Sequence, residues 1–284
     1  MRLITKQLPN SHNFFLFGDL HDGSVLSSQK GWQQLLNMMD SEYKGCSNNY
    51  GIDMGDMFED IMVDDPRFSE EKLTEPLPLA QMKRAIELRR PIKDQIITIL
   101  DSNHARKLWR FGNLTAEVCE GLGVPYGTYT AKISIRDNQD ELMYKVYVTH
   151  GSKTIRSTAD DPIRRLANLK LTLKRHLKFM AGDCAVMAKG HAHLLLVAEP
   201  ESELYLTDDG KEIQQAYTHW GQDEQFIHPD ARWYGCTGSF LRLFGEGISG
   251  YAEIAEYDPL EIGFLVIRVR DRQLVALEPV RLKL

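Results

Sequence analysis

Asn13-Phe14-Phe15-Leu16-Phe17-Gly18-Asp19-Leu20-His21 runs four apolar residues into a glycine, an aspartate and a histidine. A short apolar run closed by glycine reads as a buried β-strand. Polar residues just past a strand end are where open α/β sheets place their sites. The arrangement repeats along the chain. Tyr50-Gly51-Ile52-Asp53-Met54 precedes Gly55-Asp56, and Gln95-Ile96-Ile97-Thr98-Ile99-Leu100 precedes Asn103-His104. Tyr144-Lys145-Val146-Tyr147-Val148-Thr149 precedes His150-Gly151, and Ala185-Val186-Met187-Ala188 leads into Gly190-His191-Ala192-His193. Helical patterns over 33–40, 79–88, 105–122 and 162–180 fall between them, and the motifs start 37, 47, 47 and 41 residues apart. Each interval has room for a strand and a crossover helix. The expected class is α/β, with five segments converging on one sheet edge.

The last third changes character. Residues 197–206 and 262–275 read as antiparallel or edge strands, with turns at Asp208-Asp209-Gly210 and Asp271-Arg272. They are expected to form a second sheet that closes a sandwich. The 284 residues carry no Pro/Ser/Gly-rich linker, so one domain over 1–284 is expected. Cys46, Cys119, Cys184 and Cys236 show no C-x-x-C spacing, which argues against a disulfide framework or a zinc knuckle and fits the cytoplasm. No signal peptide and no bilayer-length apolar stretch is evident, so no membrane partner is expected. A net charge of -6 excludes a chain coated in basic surface.

The charge is unevenly spread. Residues 153–178 hold eight Lys/Arg against Asp160 and Asp161, a local +6, while 53–75 hold nine acids against Arg67 and Lys72, a local -7. Such runs are usually solvated faces. Here the basic one begins just after His150, and Arg156, Arg164 and Arg165 are its candidate phosphate-binding residues. Leu166, Leu169, Leu173 and Leu177 recur at helical spacing within it, so one face should pack on the core.

Asp19, His21, Asp56, Asn103, His150, His191 and His193 form an ordered set of oxygen and imidazole donors without a thiolate. Hard cations prefer oxygen, while imidazole suits manganese, iron and zinc, so the mixture points to a transition-metal pair. A carboxylate such as Asp56 can bridge two ions. Two metals about 3.5–4 Å apart can share a hydroxide, lower its pKa and clamp both oxygens of an in-line displacement. His104, beside a ligand, is placed to stabilise phosphoryl oxygens or protonate a leaving group. Taken singly, Asp19 and Asp56 are ordinary turn residues and Asn103-His104 is unspecific. His12, His176, His219 and His228 read as packed or surface residues, and Glu59 as a loop or helix-start acid.

The ordered set resembles the calcineurin-like metallophosphoesterase superfamily. Its blocks correspond to Gly18-Asp19-Leu20-His21, Gly55-Asp56-Met57-Phe58-Glu59, Ser102-Asn103-His104-Ala105, His150-Gly151 and Gly190-His191-Ala192-His193. They span residues 18–193. The resemblance implies a four-layer α/β/β/α sandwich. One metal would lie on Asp19, His21, Asp56 and His193, and the other on Asp56, Asn103, His150 and His191. It also implies His104 as the catalytic histidine. Two divalent ions are the implied cofactors, manganese first, with iron, zinc or nickel as alternatives. Two residues depart from the pattern. Ser102 stands for a glycine, and Ala105 for the acid that orients the catalytic histidine, a role open to Asp22, Asp101 or another residue. Thr237-Gly238-Ser239-Phe240 through Gly250-Tyr251-Ala252-Glu253 is similar to the tails of phage-type members.

The expected activity is hydrolysis of a phosphate ester, with a phosphodiester, DNA or a nucleotide, favoured by the basic segment. DNA-repair exonucleases, protein phosphatases and small-molecule phosphatases of the superfamily share the ligand pattern. The alternatives are therefore a phosphomonoesterase or protein phosphatase, or a catalytically weak metal-binding scaffold.

Overall fold

Phe14, Phe15, Leu16 and Phe17 are apolar without alternation because both faces of their strand are covered. The computed structural model describes every residue except 63, 66, 67, 69, 219, 220, 223, 224, 249, 250, 255 and 284, so Arg67, His219 and Gly250 lie outside the described residues. Along the chain run β1 (Arg2–Gln7), β2 (His12–Phe17), α1 (Gln29–Asp40), β3 (Asn49–Asp53), α2 (Pro78–Arg89) and β4 (Ile96–Ile99). Next come α3 (Asn103–Lys107), α4 (Leu114–Leu122), β5 (Thr130–Arg136), β6 (Leu142–Thr149), α5 (Pro162–Leu177), β7 (Val186–Lys189) and β8 (Leu195–Ala198). The remainder is β9 (Leu204–Asp208), β10 (Ile213–Tyr217), β11 (Trp233–Thr237), α6 (Tyr251–Ile254), β12 (Gly263–Arg270) and β13 (Gln273–Arg281).

The chain is mixed α/β. One sheet has the order β13-β12-β2-β3-β4 and another the order β1-β5-β6-β7-β11-β8. Successive side chains of a strand point to opposite faces. Phe14 and Leu16 join Ile133, Val146, Val148 and Val186 of the other sheet in one apolar cluster. Phe15 and Phe17 join Trp32 and Leu35 of α1 and Val118 and Leu122 of α4 in a second. A third sets Leu173 and Leu177 of α5 against Met187, Tyr234 and Cys236.

Three expectations are corrected. The motif strands do not share one edge: β2, β3 and β4 lie in the five-stranded sheet, β6 and β7 in the six-stranded one. The last third does not form a second sheet that closes a sandwich: β12 pairs antiparallel with β2, β11 pairs parallel with β7, and β9 and β10 make a separate two-stranded ribbon. Which strand pairs with which is a long-range choice that local periodicity does not encode. The helix expected over 105–122 is broken after α3, because Gly112 has φ 111° and the Asn113 side chain caps α4 by accepting from Ala116 N. Within α5, Leu173 and Leu177 are buried and Leu169 half-buried, but Leu166 is exposed, so only the C-terminal part packs. All four cysteines are free and buried. No helix is long and apolar enough to cross a membrane among the described residues.

His12 is packed, as expected. Its Nδ1 lies 2.6 Å from Pro9 O and its Nε2 2.7 Å from Tyr144 Oη. Burial pushes its pKa down to about 4, against the Pro9 hydrogen bond that raises it. Between pH 6.5 and 4 the unfolded chain therefore binds a proton here that the folded chain does not. Stability falls with pH through that window, by about 3 kcal/mol for this group. His12→Gln should remove that component. In thermal melts at pH 7 and pH 4.5, its drop in Tm should be smaller than that of the wild-type chain by roughly 5 °C. Equal drops would show that His12 does not titrate this way.

Candidate metal centre

The glycines of the motifs are required by close approach. A Cβ on Gly55, where φ is 97°, would lie 3.0 Å from Ser102 Cβ and 3.1 Å from His150 Nδ1, and one on Gly190 would lie 3.0 Å from Asp19 Oδ2. The loops after β2 and β3 run side by side, with Asp19 N donating to Gly55 O at 2.8 Å and His21 N to Asp56 O at 3.0 Å. Asp19, His21, Asp56, His191 and His193 all have positive φ, between 47° and 65°. That conformation disfavours side chains and is held here by the surrounding contacts. Behind β3, Arg89 Nε donates to Asp53 Oδ2 at 2.7 Å, while Asp53 Oδ1 accepts from Gly55 N. This buried pair anchors the Gly55-Asp56 turn.

The turns gather the predicted ligand residues into two groups that share Asp56. Asp19, His21, Asp56 and His193 each offer a donor atom within 4.8 Å of the others, and so do Asp56, His150 and His191. In the first group, His21 Nε2 lies 3.1 Å from His193 Nε2 and 3.7 Å from Asp56 Oδ2. In the second, Asn103 Oδ1 lies 2.8 Å from His150 Nε2 and 2.9 Å from His191 Nδ1, and Asp56 Oδ2 lies 3.3 Å from His150 Nε2. Asp19 Oδ1 comes within 3.2 Å of His193 Nε2, yet it is buried and has no hydrogen bond of acceptable geometry. Buried donor atoms converging in this way is how ligands of one cation meet. The spacings suit donors sharing an ion at bonds of about 2.0–2.2 Å. The residues fit the group that the donor chemistry implies.

Electrostatics agree with that fit. Burial alone would lower His21, but the Glu59 hydrogen bond and charge push it up to about 9. His150 is likewise pushed up to about 9, by Asp56 against burial. Burial would raise Asp56 and Asp19, but the neighbouring imidazoles hold both below the usual carboxylate range. His191 is pushed down to about 4 by burial and then by the charge of His150. The carboxylates thus demand positive charge, which two protons or a divalent cation can supply. Asp60, next to Glu59, is pushed up to about 8 by burial and then by the charge of Asp56.

Outer partners orient the rings. His150 Nδ1 faces Met54 O at 2.9 Å, which leaves Nε2 for the cluster. Ser239 Oγ and Phe240 N both donate to Asp19 O, so the Thr237–Phe240 stretch seats the first ligand from behind. Glu59 corrects the reading made from sequence. It is not a loose loop acid but a buried carboxylate with Oε2 2.9 Å from His21 Nδ1, and the acid at the end of the Gly55–Glu59 block was its signal. Glu59→Ala should weaken metal affinity by roughly 10–100-fold, with Glu59→Gln recovering part of it. Titration calorimetry with manganese checks this, and unchanged affinity in both variants would remove Glu59 from the site.

His104 Nδ1 lies 2.5 Å from the backbone carbonyl of Glu59. Neither Asp22 nor Asp101 replaces the acid that Ala105 lacks, since they pair with Arg84 and Arg106. Ala105 is buried in the helix-side apolar cluster. Arg106 also stacks on Trp109 and on Tyr129, whose ring packs edge-on to His150, a cation near the centre that the sequence did not single out. The acidic run is only in part a solvated face: Asp53, Asp56, Glu59 and Asp60 are buried, while Asp64 and Asp65 pair with Arg110 and Lys107.

Arg156, Lys174, Arg175 and Lys178 line a groove of about 810 Å³ along α5, with Asp230 as the one acid among its lining residues. Arg164 and Arg165 do not line it. Arg165 is turned back to Ala159 O and Asp160 O, and Arg164 sits on the exposed first turn of α5. His176 and His228 lie at the surface end of this region, half-buried and exposed respectively, and neither approaches the metal ligands.

No protein-family model and no curated protein matches this chain. Among solved structures it is similar to a conserved uncharacterized protein, a predicted phosphoesterase, from Streptococcus pneumoniae TIGR4. The identity is 12% and the TM-score 0.29, over 95% of this chain and 98% of that one. A likeness that distant says nothing about the chemistry of this chain.

Proposed function

We propose that this chain is a phosphoesterase dependent on two divalent metals, built as a single domain with four-layer α/β/β/α architecture. The observation that carries the proposal is the sharing of Asp56 by two groups of donors contributed by four strand-end loops, with Asn103 of a fifth beside the second group. Asp19, His21, Asp56 and His193 would hold one ion, and Asp56, Asn103, His150 and His191 the other. Manganese suits the mixed oxygen and imidazole set. When bound, such ions neutralise charge on the phosphoryl group and activate a water nucleophile.

The remaining work falls to the chain. With Nδ1–H donated to Glu59 O, His104 keeps Nε2 free to hydrogen-bond a phosphoryl oxygen or pass a proton to the leaving oxygen. Glu59 and the Met54 carbonyl hold His21 and His150 in one orientation through the reaction. The preference for a phosphodiester such as DNA or a nucleotide over a phosphomonoester rests on the basic groove that holds Arg156, Arg175 and Lys178, whose charge suits a phosphate backbone.

The test is a hydrolysis panel with added manganese: bis(p-nitrophenyl) phosphate, p-nitrophenyl phosphate, a phosphopeptide, a cyclic nucleotide, and single- and double-stranded DNA. Diester cleavage that disappears with chelator is expected. Cleavage of monoesters alone would replace the diester reading with a phosphomonoesterase. No turnover despite bound metal would leave the scaffold reading.

A further inference from the structure

The pairing of β9 with β10 forms a ribbon that belongs to neither large sheet. Its register sets Leu204 opposite Tyr217, Leu206 opposite Gln215 and Asp208 opposite Ile213. Paired and alternate residues share a face of a two-stranded ribbon. Leu204, Leu206, Ile213 and Tyr217 therefore stand on one face, and they are 52 to 78% exposed. Two strands alone are marginally stable in water, and a one-sided apolar ribbon is built to be covered. Around that face the charge is acidic: Glu199, Glu201, Glu203, Asp208, Asp209 and Glu212 against Lys211.

A complementary surface sits on the same side of the six-stranded sheet. The first seven residues of α5 are exposed all round, so the helix overhangs the body. Ile163, 81% exposed, and Leu166, 47% exposed, extend the stripe that Leu169, Leu173 and Leu177 bury further along. Arg164, Arg165 and Lys170 flank them, with no acid between 162 and 170. Lys174 Nζ, on α5, lies 3.6 Å from Glu201 Oε1, just before the ribbon, so the two projections are rooted side by side. A two-fold axis between them would lay each ribbon on the other copy's helix. Such an isologous contact closes on itself. The basic groove runs on past this root, lined by Arg156, Asn168, Thr172 and Arg175 and bounded at the ribbon end by Lys174 and Asp230.

We propose that this protein forms a two-fold dimer in which the apolar face of each ribbon covers the overhanging start of α5 of the second copy. Light scattering behind size exclusion should return twice the 32.5 kDa chain mass at micromolar concentration. The double variant Leu206→Glu with Ile213→Glu, and separately Leu166→Glu, should each elute at the monomer mass. Their circular dichroism should match that of the wild-type protein, because these side chains touch little of their own chain, and their Tm should fall only by the stabilisation that the dimer contact supplies. Mixing the two monomeric variants leaves one intact ribbon-to-helix contact and should restore a dimer peak. A wild-type monomer, variants that remain dimeric, or a mixture that stays monomeric would each overturn the proposal. The scattering result does not depend on whether the metal centre is catalytic.

Discussion

Asp56→Ala should lose hydrolysis by a factor on the order of a thousand or more, together with the bound metal. Asp56 belongs to two of the three groups of converging donors among the described residues, the third being His21, Glu59 and His104. Its Oδ2 lies 3.3 Å from His150 Nε2 and 3.7 Å from His21 Nε2, and its Oδ1 accepts from His104 N. Burial alone would raise its pKa, but the imidazoles of His150 and then His104 hold it well below the carboxylate range. Alanine removes the one anion that both groups share, so no other side chain can take over its place. The effect should exceed that of removing a single histidine. The measurements are elemental analysis of purified protein and manganese-supported cleavage of bis(p-nitrophenyl) phosphate, with circular dichroism to show that the variant folds. A folded variant that keeps both metal and activity would end the two-metal reading.

His104→Ala should give a different signature. Activity should fall by about 10²–10⁴-fold, the usual worth of a positioned acid or base, while metal content stays at the wild-type level. His104 stands outside both ligand groups that share Asp56 and is turned by the Glu59 carbonyl. Residue 105, beside it, is an alanine buried in the helix-side core, so it offers the ring no acid. A backbone carbonyl can fix the ring and its tautomer as well as a carboxylate can, but it brings no full negative charge. Loss of metal in His104→Ala would make this residue a ligand, and a loss below tenfold would remove it from the chemistry. Comparing the two variants separates holding the ions from using them.

Much of the candidate site could be read from the chain. Asp19, His21, Asp56, Asn103, His150, His191 and His193 each follow a strand whose pattern is local, and the structure brings all seven together. What the sequence did not show is equally specific. Glu59 looked like a loop acid although it closes the Gly55–Glu59 block, because its contact with His21 is made across 38 residues of chain. Arg164 and Arg165 looked like phosphate contacts by virtue of charge alone, but the overhang of α5 carries them away from the groove. The orienting partner of His104 is a main-chain oxygen, which no residue type announces.

The sequence by itself determined which donor atoms exist, their order, and the strand ends that would carry them. Those properties depend on side-chain chemistry and a two-residue period, both set within a few neighbours. Only the tertiary structure decided that the donors come from two sheets rather than one, with β2, β3 and β4 in one and β6 and β7 in the other. It also decided that the final strands are divided between them and a separate two-stranded ribbon. Strand pairing joins residues far apart in the chain, as β12 does with β2, and is chosen by burial of whole faces. The local pattern that marks a strand carries no record of its partner.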